Sequence, residues 1–131
     1  MFLEATSLRS YVVGPLKSRS VHRLRPGDID VIAAMGDSLT ASAGLYATNL
    51  LEMFVENRGA SAFIGGQRTL RAHLTLPNIL KEFNPKLIGY AYGDFSTTQS
   101  PSQLDVAEIC AMSGDMPFMV KYYSRYNVSD I

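Results

Sequence analysis

The stretch VIAAMGDSLTAS, residues 31–42, runs an apolar segment straight into Gly36-Asp37-Ser38-Leu39-Thr40. A serine where a strand hands over to a helix can be a nucleophile if a base takes its proton and donors face the developing oxyanion. The turn itself supplies donors, because the first N–H groups of a helix have no partner within it, the N–H of Ser38 included. Asp37 reads as a turn former whose short side chain bonds nearby backbone N–H groups. The same serine also reads as a plain helix N-cap, a role without chemistry. A base is harder to find. The only histidines are His22, ahead of the first predicted strand, and His73, in the loop before a predicted helix. Each reads as a surface or structural residue. The single cysteine, Cys110, reads either as a reactive thiol or as a small buried apolar residue, and alone it can form no intramolecular disulfide.

These residues need elements to position them. Residues 1–20 have no clean period and read as an N-terminal extension. Pro26-Gly27-Asp28 is a turn signal. Ile29 to Met35, apolar on both faces, predicts a central parallel strand. Leu39 to Asn57 predicts a helix with Leu39, Tyr46, Leu50, Met53 and Phe54 on one face, stopped at Gly59. SAFIGG (61–66) and KLIGYAYG (86–93) predict two more strands. TLPNILKEFNP (75–85) predicts a helix with Pro77 in its first turn and Asn84-Pro85 at its end. After the polar loop DFSTTQSPSQ, a last helix is predicted in MSGDMPFMVKYYSRY, with Ser113 or Asp115 as cap and Pro117 in the first turn. Strands alternating with helices predict an α/β fold on a parallel sheet. Three strands make that sheet small and incomplete.

The 131 residues favour one domain, and 47% hydrophobic with 18% charged residues is a globular balance. Twelve basic residues offset twelve acidic ones, so the charge gives no sign of a nucleic-acid partner. The local basic group Lys17, Arg19, His22, Arg23 and Arg25 reads as a solvated arm. Neither Gly-x-Gly-x-x-Gly nor a P-loop occurs, which weighs against a nucleotide binder. No apolar run reaches the roughly 18 residues of a membrane span. The N-terminus is expected not to act as a signal peptide, because Glu4, Arg9 and Ser10 break its short apolar pieces. Asn127-Val128-Ser129 fits an N-glycosylation acceptor, which points the other way, towards secretion.

The residues around Ser38 say more. VHRLRPGDIDVIAAMGDSLTA, followed in order by IGGQ, TLPNILKEFNP and DVAEICAMSGDMP, resembles the GDSL, or SGNH, family of lipases and esterases in its phospholipase B type. The resemblance spans residues 21 to about 126. It implies a three-layer α/β/α sandwich, here truncated with an incomplete parallel sheet. Residues 21–131 would be a partial hydrolase domain carrying the first and second family blocks only. The implied chemistry is hydrolysis of phospholipid or other lipid acyl esters through a serine, with no metal or cofactor. The implied partners are the lipid substrate and, through it, a membrane surface. The location of this chain is left open by its own residues, and the resemblance implies a secreted or plasma-membrane-associated protein. Ser38 matches the nucleophile and one oxyanion N–H, with Gly36, Asp37 and Leu39 completing the motif. Cys110 stands where the family usually has the glycine whose backbone N–H completes the oxyanion hole. If that glycine serves a positive φ or close approach to substrate, a cysteine strains the position. The third-block Gly-x-Asn-Asp and the catalytic Asp-x-x-His have no counterpart here. Two expectations follow: a lipid-ester hydrolase by descent, inactive as this chain alone, or a truncated isoform or paralogue that works as a binding or decoy module.

Overall fold

A computed structural model describes residues 20–123. Two helices of eight residues stand out, and each is explained locally. The first, α1 (Leu76–Phe83), starts where Thr75 Oγ1 accepts the N–H of Asn78 at 3.3 Å and Pro77 occupies the first turn. It closes at Asn84, whose N–H bonds Leu80 O. The second, α2 (Met116–Tyr123), follows a single 3₁₀ turn at Ser113–Asp115. There the Asp115 carboxylate accepts the N–H of Met112 at 2.8 Å, placing negative charge ahead of the helix.

The predicted strands appear as extended segments joined by isolated bridges, not as a continuous sheet. Three bridges are parallel: Val31 with Ile88, Ala34 with Asp105, and Gly65 with Ala91. Each rests on paired backbone bonds, such as Val106 N to Ala34 O at 2.9 Å and Ala34 N to Leu104 O at 3.0 Å. Gly89 sits at φ +92° against Ile32 O, so a β-carbon there would collide with that carbonyl. The core gathers on these segments: Ile64, Leu87, Ala91, Leu104, Val106 and Ala107 are buried with Leu80 of α1 and Met119 of α2. Tyr123, at the end of α2, donates its hydroxyl to Ala34 O and Leu104 O, tying that helix to two of the bridged segments.

The helix predicted over Leu39–Asn57 is not formed. The segment makes turns, a short 3₁₀ run at Leu51–Phe54 and an antiparallel bridge from Ala43 to Glu56. Two causes are visible. The apolar face lacks a surface to pack on, with Leu39 and Leu50 each 75% exposed and Phe54 68%, and burial of such a face supplies most helical stability. Polar side chains also capture the backbone locally. Asn49 Oδ1 accepts the N–H groups of Leu51 and Glu52, and Glu52 takes the N–H and hydroxyl of Thr48. Those bonds hold the Glu52 carboxyl below its ordinary pKa. The N-terminal extension, apart from Ser20, and Asn127 lie outside the described residues.

Candidate functional site

Ser38 lies three residues past Met35, half-buried, on a tight turn. Asp37 Oδ1 accepts the N–H of Leu39 at 2.9 Å, and Asp37 O accepts the N–H of Ala41 at 3.1 Å. Ser38 O accepts from Ala43 at 2.9 Å. With no helix following, the serine is not an N-cap. Among the described residues neither its hydroxyl nor its N–H makes a hydrogen bond. Gly36 keeps the turn tight, because a β-carbon there would overlap the Thr40 hydroxyl.

The second block is brought beside this turn by backbone bonds. Val106 N–H donates to Ala34 O, and Glu108 N–H donates to Gly36 O at 3.2 Å. Two residues further on, Cys110 has φ +64°, the left-handed region that suits glycine. Its N–H is also without a bond among the described residues. Its thiol is exposed, which corrects the reading of Cys110 as a buried apolar residue. It stands on the wall of a cavity of about 420 Å³ lined by Val106, Ile109, Phe118 and Met119, with Thr97 and Glu108 as polar neighbours. Thr97 Oγ1 donates to a carboxylate oxygen of Glu108, fixing that side chain at the cavity edge.

The histidines are placed elsewhere. His22 is exposed in a 3₁₀ turn. His73 is half-buried ahead of α1, its backbone bonded to Thr69, Thr75 and Asn78, and its buried Nδ1 has no partner among the described residues. Neither imidazole bonds Ser38.

Arg58 is the residue that sequence reasoning passed over. It is wholly buried. Its Nη1 donates to Asp105 O at 3.1 Å, and Nη2 to Ala107 O at 2.6 Å and Thr97 Oγ1 at 3.1 Å. Carboxylate oxygens of Glu56 and Asp105 each lie 3.1 Å from a guanidinium nitrogen. The Asp105 contact is an ion pair without hydrogen-bond geometry, and Oδ2 has no hydrogen-bond donor among the described residues. Burial therefore outweighs Arg58 and raises the Asp105 carboxyl from 3.8 to about 6. Burial likewise raises the Tyr123 phenol.

Compared with known proteins, the chain matches sequences of one class, the phospholipase B type. It is 48% identical over 98 residues, 75% of its length, to rat "Phospholipase B1, membrane-associated", and 48% identical over 98 residues to the human protein of that name. The mouse protein is 46% identical over 102 residues. The chain therefore has a phospholipase B-like relationship over a partial region, and it spans only 6–7% of the length of these relatives. No family model and no solved structure matches it. Among the described residues no helix is long and apolar enough to cross a membrane.

Proposed function

We propose that this chain carries the nucleophile side of a lipid-ester hydrolase site, with Ser38 as nucleophile and the N–H groups of Ser38 and Cys110 as oxyanion donors. The substrates are phospholipid or related acyl esters met at a membrane surface, with no metal, cofactor or nucleic acid involved. The fold around the site is the three-layer α/β/α sandwich of the GDSL family, supported by the parallel sense of three of the four bridges. The observation that carries the reading is the Glu108-to-Gly36 bond. That bond joins the turn of Ser38 to the segment leading to Cys110, and the Ser38 hydroxyl and both N–H groups make no hydrogen bond among the described residues, which supports a role for them in acyl transfer.

In such a reaction Ser38 Oγ attacks the acyl carbonyl, its proton passes to a base, and the two N–H groups take the oxyanion. Neither histidine of the chain reaches the hydroxyl, so the base must come from outside these described contacts. One missing oxyanion donor costs roughly 100- to 1,000-fold in rate, and a missing base costs more. Alone, the chain should therefore react slowly and turn over little.

The placement of His22 and His73 away from Ser38 favours a second reading, a binding or decoy module that holds lipid without cleaving it. A fluorophosphonate probe separates the two. Slow labelling of the purified chain that disappears in Ser38→Ala supports the hydrolase reading. No labelling of the folded chain, combined with sedimentation on phosphatidylcholine vesicles, supports the module. Equal labelling of Ser38→Ala would remove Ser38 from the nucleophile role.

A further inference from the structure

The backbone of residues 104–108 has two edges. Leu104, Val106 and Glu108 use one of them: their N–H groups bond Gly89, Ala34 and Gly36, and Leu104 O accepts from Ala34. Alternation along an extended chain turns the groups of Asp105 and Ala107 to the other edge. A neighbouring strand would ordinarily take those groups. Here side chains and a turn take all four. Asp105 N–H bonds Ser102 O at 2.9 Å, and Ala107 N–H bonds Asp105 Oδ1 at 3.2 Å. The two carbonyls go to the two Nη atoms of Arg58. The guanidinium is held in turn by Glu56 and Thr97, and Thr97 also binds Glu108.

We infer that Arg58 is a positioning residue: its buried guanidinium stands in for a strand on the outer edge of residues 105–107 and so fixes the course of the chain through the Glu108–Gly36 bond towards Cys110. The inference rests on the hydrolase reading for its catalytic meaning, but not for its geometry. Arginine suits the task because one planar fork reaches two carbonyls and a hydroxyl at once, whereas a lysine ammonium is a point charge that cannot span them. With lysine, the charge beside Glu56 and Asp105 survives and the span does not.

Arg58→Lys is thus the informative variant, compared with the unaltered chain at equal foldedness by circular dichroism. Three rates are read: amide hydrogen exchange at Val106 and Glu108, reaction of the Cys110 thiol with an aromatic disulfide, and fluorophosphonate labelling of Ser38. The expected result is about tenfold or more faster exchange and a several-fold change in thiol rate, as a charge-assisted bond is lost, while the amides of Leu80 and Asn84 in and after α1 stay unchanged. Ser38 labelling should fall alongside. Unchanged exchange and thiol rates in folded Arg58→Lys would overturn the inference. Absence of labelling in the unaltered chain would instead count against the hydrolase reading, leaving the first two rates to decide on Arg58. If Arg58→Lys does not fold, the Arg58 Nη protons of the unaltered chain decide by NMR. Slow exchange with correlations to the Asp105 and Ala107 carbonyls supports the inference, and exchange as fast as for Arg23 overturns it.

Discussion

Cys110 concentrates the chemistry of a single position. A side chain at φ +64° is held in a region where a β-carbon crowds the neighbouring carbonyl, at a cost of roughly 1–2 kcal/mol. Removing the β-carbon relieves that crowding, although glycine also loosens the unfolded chain by about 0.4–1 kcal/mol. The balance predicts that Cys110→Gly raises unfolding stability by about 0.5–1 kcal/mol. Cys110→Val should lower it, because a branched β-carbon tolerates this region least. Urea unfolding of the three proteins checks both signs. A glycine variant no more stable than the parent would mean that the backbone at 110 relaxes freely, and the fit of this loop to a glycine's conformation would lose its support. Among the described residues the exposed thiol makes no hydrogen bond that the substitution would remove, so the comparison isolates the backbone.

At the level of elements, what could be read in advance was what short-range chemistry decides. α1 is bounded by Thr75, Pro77 and Asn84, all in its first turn or immediately flanking it, and its limits follow from them. Because Thr75 is buried and its Oγ1 caps Asn78 N–H, Thr75→Ala should destabilise the chain by about 1 kcal/mol and Thr75→Ser by much less. Thermal unfolding followed at 222 nm measures the difference, and equal losses in the two variants would mean that the methyl, not the cap, matters. The bridged segments at 31–34, 65 and 88–91 fall inside the three predicted strands, whose β-branched and small residues mark them. Leu39–Asn57 was misread because a helical period predicts a helix only where something buries its face, and here Leu39, Leu50 and Phe54 face solvent. Arg58 was missed for a related reason. Asn57-Arg58-Gly59 looks like a polar loop, and apart from Glu56 the partners of the guanidinium lie 39 to 49 residues away. No local pattern marks such a residue. The GDSL stretch was legible as a motif, but its neighbour in space, Glu108, is joined to it through a backbone bond that carries no residue-type signal.

For the molecule as a whole, the buried Arg58–Asp105 pair ties stability to pH. The folded chain holds the Asp105 proton with a pKa of about 6, against 3.8 in the open. A carboxyl whose pKa is raised by folding stabilises the fold fully below its unfolded value, and that contribution is lost as pH rises through the folded one. The window therefore runs from about pH 4 to about pH 6, and the two values correspond to roughly 3 kcal/mol in total. Glu52 acts in the opposite sense. Its bonds from Thr48 and Asn49 lower its pKa, so its stabilisation is lost as pH falls. The raw dependence of unfolding on pH mixes these signs, and a difference measurement separates them. Asp105→Asn keeps a side-chain oxygen for the Ala107 N–H and removes the titration. Relative to this variant, the parent should lose stability steadily from pH 4 to pH 7, by about 2 kcal/mol across the interval. Denaturant unfolding at half-unit steps of pH would trace it. Parallel curves would mean that Asp105 ionises at its ordinary pKa in the folded chain, as it would if the Arg58 pair closed into full hydrogen-bond geometry in solution.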